Sequence, residues 1–162
     1  FARPFGTGEW YGVNADGSQP RALVFFGTRD VTQRGKQVKG SFSLLDTLED
    51  DDQNVLMSVS YPRSADGVGT EVVLFDTIAG SWKTVAKAPR ENCSISLDSQ
   101  KVPRFAVCFD DEDDQGRYES HSELYRRGDD GKWTLINSSK SSGKRLSVGG
   151  GGAGGSGAGR RL

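Results

Sequence analysis

Apolar and polar residues alternate over short stretches that turn residues interrupt, and this pattern predicts an all-β protein. No stretch carries the helical periodicity of a long amphipathic helix. Asp-Gly and other glycine-containing turns separate the apolar stretches. Eight strands are predicted in the central region, at residues 41–47, 54–61, 70–76, 82–86, 93–97, 103–109, 122–127 and 132–137.

These eight strands fall into two units, residues 41–89 and 92–139, that repeat with an offset of about 50 residues. Glu71 aligns with Glu123, and Trp82 aligns with Trp133, each tryptophan closely following a turn glycine. This period is typical of a four-stranded propeller blade. Such a unit cannot bury both faces of its sheet alone, so we expect neighbours on each side and a larger parent protein.

A partial first unit is predicted at residues 1–40, with strands at 9–15 and 21–26 joined by a tight turn at Asp16 and Gly17. Residues 27–40 are polar and basic and are interpreted as a loop with a weak extended piece. Residues 144–148 are a candidate for the start of a further strand. Residues 1–148 are thus predicted to form a partial β-propeller of two four-stranded antiparallel blades and part of a third.

The ends of the chain differ in composition from this repeat. Residues 149–162 are glycine-rich and are predicted to form a disordered, flexible tail, because they lack the apolar content that would offset the entropy of ordering them. Phe1 begins the chain without a leader pattern, and the residues after it resemble the middle of a repeat. We therefore expect a fragment of a longer protein.

The charge balance narrows the classes of partner. The formal net charge is −1 at pH 7, whereas general nucleic-acid binding needs a surplus of Lys and Arg to neutralise phosphates. No apolar run reaches the length needed to cross a bilayer. Neither a nucleic-acid partner nor a membrane partner is predicted.

The two cysteines, Cys93 and Cys108, flank a predicted turn. If the strands pair about Gln100 and Lys101, the two cysteines lie opposite each other, and a cross-strand disulfide becomes feasible in an oxidising compartment. Two small buried thiols are the alternative, and it is the favoured one because sequence alone rarely fixes strand register.

The acidic run from Asp110 to Asp114, followed by Gly116, invites comparison with a calcium loop. The closing acid of that pattern is missing, because Ser122 stands in its place. The run is therefore interpreted as a solvated connection between strands. The acidic residues 49–52 are interpreted as a charged loop that keeps a sheet edge soluble.

His121 is the only histidine, and it lies between Ser120 and Ser122. A serine hydrolase needs a nucleophile on a sharp strand-to-helix turn with a histidine in reach, and no G-x-S-x-G motif occurs. His121 is interpreted as a surface or loop residue. No catalytic, cofactor-binding or metal-binding residue is assigned.

The three tryptophans allow two interpretations. They could stack on sugar rings or bases. However, Trp82 and Trp133 recur at one position of the repeat, which favours packing over ligand binding.

Several stretches, taken in order over residues 8–148, resemble the N-terminal β-propeller region of bacterial S9-family (prolyl oligopeptidase-like) serine peptidases. They are GEWYGVNADGS at 8–18, LDTL at 45–48 with DQNVLM at 52–57, AKAPREN at 86–92, VPRFAV at 102–107, and ELYRR at 123–127 with WTLIN at 133–137.

The resemblance implies a two-domain enzyme in which a propeller covers an α/β-hydrolase domain and admits only oligopeptides. The implied partners are that domain and a peptide substrate, and no cofactor is implied. The family's catalytic motifs have no match here, so the implied role is gating and substrate selection without catalysis. Family members are cytoplasmic or exported, and the cysteines slightly favour a periplasmic or secreted location.

Two other interpretations remain open at this point. The chain could be a stand-alone propeller-type module that binds a protein or a glycan. It could also be a self-contained β-sandwich or β-barrel of about ten strands, although the matched tryptophans argue against that.

Overall fold

A computed structural model describes residues 10–24, 31–33, 36–38, 40–61, 69–110 and 121–144. Within these residues the chain is almost entirely β, and every strand pairing is antiparallel. The all-β prediction is confirmed. The described strands form four separate sheets, none of which closes on itself.

The first sheet contains β5 (Ser41–Asp46), β6 (Asn54–Ser60), β7 (Thr70–Asp76) and β8 (Trp82–Lys87), and the second contains β9 (Cys93–Leu97), β10 (Pro103–Asp110), β11 (His121–Arg127) and β12 (Trp133–Ser138). Each sheet is a meander, because its strands are hydrogen-bonded in chain order. The predicted ends of all eight strands agree with the structure to within one residue. Alternating apolar residues and glycine-containing turns therefore sufficed to locate them.

The N-terminal hairpin contains β1 (Trp10–Gly12) and β2 (Arg21–Val24), and a small hairpin contains β3 (Val31–Gln33) and β4 (Lys36–Val38). The predicted strand over residues 9–15 is wrong in its length. Its last residues enter the turn, where the Asn14 N–H donates to the Ser18 carbonyl at 3.0 Å. The predicted loop at 27–40 contains the small hairpin instead of one weak extended piece.

The chain after β12 forms the single helix of the described residues, α1 (Ser139–Ser142), which the sequence did not predict. Lys144 is not part of a strand. The other residues of the candidate strand at 144–148, and the predicted tail at 149–162, lie outside the described residues. So do residues 1–9 and 25–26, which fall within the predicted first unit.

The two four-stranded sheets repeat in their detailed register. A bulge follows Val72 in β7, and an equivalent bulge follows Leu124 in β11. Trp82 and Trp133 occupy the same place at the start of the last strand of each sheet. This register makes the following positions equivalent: Glu71 and Glu123, Val72 and Leu124, Val59 and Cys108, Phe42 and Cys93, Leu56 and Phe105, Ser58 and Val107, Ser60 and Phe109.

The same turn closes three hairpins, at residues 14–18, 98–102 and 128–132. In each turn the first N–H donates to the last carbonyl, and the fourth N–H donates back to the first carbonyl. The fourth residue adopts positive φ and is Gly17, Lys101 or Gly131. Glycine suits this position because it has no Cβ to clash, which explains why Asp-Gly located two of the three turns.

One face of the first sheet packs against the N-terminal hairpin. Met57, Val73 and Phe75 are fully buried on this face. They form one apolar cluster with Trp10 of β1, and Leu23 of β2 packs against that cluster. The hairpin therefore serves as the cover for this face of the sheet.

An aromatic group lies at the centre of that cluster. The Phe42 and Trp82 rings meet edge to face with centroids 5.3 Å apart, and the Phe75 ring stacks on Trp82 at 6.3 Å. The Trp10 indole N–H donates to the Phe42 carbonyl at 3.2 Å. Edge-to-face and offset-stacked geometries are those that aromatic quadrupoles favour.

The opposite face of the first sheet packs against the second sheet. Leu56, Val72 and Ala86 from the first sheet form one buried cluster with Ile95 and Ala106 from the second. Three polar contacts also join the two sheets: the Thr70 hydroxyl to the Cys93 carbonyl at 2.6 Å, the Trp133 indole N–H to the Lys87 carbonyl at 2.7 Å, and an ion pair between Lys101 and Asp46.

Cys93 and Cys108 form a disulfide between β9 and β10. They lie directly opposite each other in the register, with their Cα atoms 3.9 Å apart. The predicted pairing about the 98–102 turn is therefore confirmed, whereas the favoured alternative of two free thiols is wrong. The equivalent positions in the first sheet are Phe42 and Val59, so the disulfide takes the place of an apolar pair in the core.

Replacing both cysteines by alanine is expected to lower the free energy of unfolding by about 3 kcal/mol, because the disulfide spans a separation of 15 residues and restricts the unfolded chain. Urea unfolding followed by tryptophan fluorescence measures the change. A reducing agent should bring the wild type to the same stability and leave the variant unaffected. Identical wild-type curves with and without the reducing agent would contradict this assignment.

Candidate functional site

The most prominent concave feature of the described residues is a cleft at one end of the sheets. At this end, which we call the turn end, the chain turns from β1 to β2, from β5 to β6 and from β7 to β8. The cleft has a volume of about 610 Å³, within the range of small-molecule and peptide sites. Its lining comes from all three turns: Gly12, Val13, Asn14, Gln19, Pro20, Arg21, Thr47, Leu48, Asp51, Asp52, Asn54, Val55, Thr77 and Ile78.

Aspartates at the turn end hold the turns in shape. Asp16, Asp51, Asp76 and Asp98 each accept hydrogen bonds from backbone N–H groups two to four residues further on, as turn-forming aspartates commonly do. The shortest distances are 2.9 Å from Ser18 to Asp16, 2.8 Å from Asn54 to Asp51, 2.7 Å from Ile78 to Asp76, and 2.9 Å from Gln100 to Asp98. These carboxylates therefore have a structural role in the cleft region.

Arg21 joins two walls of the cleft. Its guanidinium donates to the Thr77 carbonyl at 3.2 Å, which ties the N-terminal hairpin to the β7–β8 turn. Gly12 lies beneath this contact, and a Cβ at that position would come within 3.2 Å of both the Arg21 Nε and the Thr77 carbonyl oxygen. A glycine thus allows the two walls to approach.

Two residues with left-handed backbone conformation face this cleft from different loops. Gln19 has φ 51° and Leu48 has φ 47°, although neither is glycine. The Leu48 N–H donates to the Asp46 carboxylate at 3.0 Å, which stabilises its conformation. Such conformations cost of order 1–3 kcal/mol each and concentrate at ligand-contacting sites.

The cleft wall carries negative charge. Hydrogen bonds from the Asn54 side chain and from the Asn54 and Gln53 backbone lower the pKa of Asp51 below its ordinary value of 3.8. The Ala79 and Ile78 backbone N–H groups, with the Gln53 side chain and the charge of Arg21, lower the pKa of Asp76. Both carboxylates are therefore ionised at neutral pH.

The chemistry of this lining suits binding. Its side chains are amides, hydroxyls, carboxylates, one guanidinium and aliphatic groups, and it includes no histidine, cysteine, serine or lysine. Nucleophilic catalysis requires a nucleophile within reach of a base. Aromatic rings, on which sugar rings stack, are also missing from the lining, which favours a peptide-like ligand over a glycan.

A second polar cluster lies at the opposite end of the sheets. Arg90 forms ion pairs with Glu123 at 3.0 Å and with Asp110 at 2.9 Å. The Tyr125 hydroxyl donates to the same Glu123 carboxylate at 2.8 Å. His121 lies at the start of β11, directly opposite Asp110 in the register. The sequence did not predict this cluster, because its members are far apart along the chain.

The first sheet has a related arrangement at the equivalent position. Glu71 is buried and pairs with Lys87 at 3.2 Å, and the Thr84 hydroxyl donates to it at 2.9 Å. Burial, together with the charge of Glu71, raises the pKa of Tyr61 to about 12. A glutamate paired with a cation is thus a feature of the repeat itself, which favours a structural role for Glu123 and Arg90.

The structure tests the other candidates of the sequence only in part. Residues 111–120, which contain most of the proposed calcium run and Ser120, lie outside the described residues. Within the parts that the structure describes, no three His, Cys, Asp or Glu side chains come together as a metal site. The 49–52 loop, predicted only to keep a sheet edge soluble, also contributes Asp51 and Asp52 to the cleft.

The tryptophans occupy packing positions. Trp10 and Trp82 are buried in the first apolar cluster, and Trp133 packs against the second. None of the three lines the cleft. The interpretation of Trp82 and Trp133 as packing residues is therefore confirmed.

Comparisons with known proteins give no match: no family model, curated protein or solved structure is detectably similar to this chain. Among the residues described, no helix is both long enough and apolar enough to span a membrane.

Replacing Asp76 by asparagine should destabilise the protein at pH 7, because the ionised carboxylate accepts the turn hydrogen bonds. Its folded-state pKa is lowered, so its contribution is present above the ordinary pKa of about 4 and is lost as the pH falls through the folded-state value. The stability difference between the wild type and Asp76→Asn should therefore shrink between about pH 5 and pH 2.

Urea unfolding at several pH values measures that difference. Asp52→Asn is the matched control, since the Asp52 carboxylate has no hydrogen bond or ion pair among the described contacts, and it should change stability little. An Asp76→Asn effect of the same size at pH 7 and pH 2 would rule out the proposed role of its charge.

Proposed function

We propose that the chain forms blades of a β-propeller that restricts substrate access in an S9-like (prolyl oligopeptidase-like) serine peptidase, and that it is not catalytic by itself. The observation that carries the proposal is the stacking of repeated four-stranded meanders, with the first sheet covered on both faces. Face-to-face stacking of such repeats is the packing on which a propeller is built.

The repeat supports this proposal in a second way. Equivalent bulges, turn glycines and tryptophans indicate that one structural unit occurs twice, with the same residues directed toward its neighbour. A ring of such units would leave a central channel beside an α/β-hydrolase domain. Oligopeptides would enter through that channel, and folded proteins would be excluded.

The disulfide supports a compartment for the proposed parent protein. Structural disulfides persist in oxidising environments and are rare in the cytosol. A periplasmic or secreted peptidase is therefore the favoured version of the proposal.

A stand-alone module that binds a protein partner is the second candidate, and the cleft at the turn end favours it. Two facing residues with left-handed conformation, Gln19 and Leu48, are suited to holding a ligand in a fixed geometry. The polar, non-aromatic lining makes a peptide segment a better fit than a glycan.

Sequencing the encoding DNA beyond the codon for Val148, and translating all three frames, tests the proposal. It predicts further blade repeats, then a G-x-S-x-G motif, and later an aspartate and a histidine. An open reading frame with no such continuation in any frame would leave the binding module as the better proposal.

A peptidase assay provides the complementary test. The purified chain should not hydrolyse a proline-containing peptide, because the proposed role assigns bond cleavage to another domain. Hydrolysis by pure material that is lost in the His121→Ala variant would contradict the non-catalytic role.

A further inference from the structure

The second sheet has a face that no described residue of the first sheet covers. We call it the outer face; it is opposite the face that packs on the first sheet through Ile95 and Ala106. Side chains alternate between the two faces of a strand, so the register places the following residues on the outer face: Ser94 and Ser96 of β9, Phe105, Val107 and Phe109 of β10, Ser122, Leu124 and Arg126 of β11, and Thr134 and Asn137 of β12.

The outer face is more apolar than its counterpart in the first sheet. Val107 and Phe109 occupy the positions of Ser58 and Ser60, two serines on the face of the first sheet that packs against its neighbour. Phe109 is 37 % exposed. An apolar residue at a position where the repeat tolerates serine is not required by the fold, so it points to a binding role.

The shape of the outer face is that of a ridge beside a shallow strip. Phe105, Val107 and Phe109 form an apolar row along β10, and the small side chains of Ser94 and Ser96 lie next to it on β9. Two such faces related by a two-fold axis would place the ridge of each copy over the serine strip of the other. A two-fold interface is closed and self-complementary, and it is the commonest arrangement in homo-oligomers.

The charges also favour a second copy. No aspartate or glutamate occupies the strand positions of the outer face, and Arg126 is its single charged residue. The net charge of −1 gives little long-range repulsion between copies. An acidic or basic partner would find no complementary patch on this face.

We propose that the 162-residue chain forms a two-fold symmetric dimer by packing the outer faces of the two second sheets against each other. The proposal goes beyond the proposed function, since it concerns the chain itself and holds whether or not a catalytic domain exists.

Sedimentation equilibrium of the full chain from about 5 to about 500 µM tests the proposal. The wild type should approach the mass of two copies. Phe109→Ser, which introduces the residue found at the equivalent position of the first sheet, should raise the dissociation constant roughly tenfold or more. Ile78→Ser is the matched control, because Ile78 is 55 % exposed at the turn end, and it should leave the dissociation constant unchanged.

Ser94→Asp is a second variant. Ser94 is exposed, so the fold should tolerate the substitution, and far-ultraviolet circular dichroism checks this. It should also weaken the dimer, since the symmetry places a buried carboxylate on each side of the interface. A monomer over the whole concentration range, a dimer that neither variant weakens, or association that continues beyond two copies would each overturn the proposal.

Discussion

Burial of both faces of the two central strands of the first sheet is the constraint on which the rest of the structure depends. Met57, Val59, Val72, Val73 and Phe75 are fully inaccessible to solvent. Burying an aliphatic or aromatic side chain of this size contributes about 1.5–3 kcal/mol relative to exposure. Because the strands carry apolar residues on successive positions, one cover is not enough, and the N-terminal hairpin and the second sheet must both be in place.

The polar features follow from this stacking. Sheets that lie face to face bring their connections together at their ends, so aspartates that shape individual turns also meet at the turn end and form a cleft. The ion pairs at the opposite end arise in the same way, with Glu71 and Glu123 at equivalent positions of the repeat and a cation beside each. The candidate site is thus a consequence of how repeated units pack, and neither of its walls belongs to a single local motif.

Much of the fold could be predicted from the sequence, because its signals are local. Alternating apolar residues and glycine turns located the eight strands of the two sheets, and the matched positions of Trp82 and Trp133 identified the repeat. The register of the disulfide followed from the turn at 98–102. The formation of the disulfide was not favoured in advance, because a shift of one residue would have separated Cys93 from Cys108.

The cleft and the Arg90 cluster could not be predicted, because they depend on contacts between distant segments. Arg21 and Thr77 are 56 residues apart in the chain, and Arg90 and Glu123 are 33 apart. The left-handed conformations of Gln19 and Leu48 also have no signal in residue type, since neither is glycine or asparagine. Knowledge of which ends of the hairpins coincide would have been needed to bring Asp16, the 49–52 loop and Asp76 together.

Nuclear Overhauser effects between methyl groups test the central claim most directly. The stacking of the two sheets predicts contacts from Val72 and Ala86 in the first sheet to Ile95 and Ala106 in the second. The cross-strand contact between Val72 and Ala86 within the first sheet is the internal control. Detection of the intersheet contacts would support face-to-face stacking of the repeats, whereas the control contact without them would show that the sheets form but do not stack.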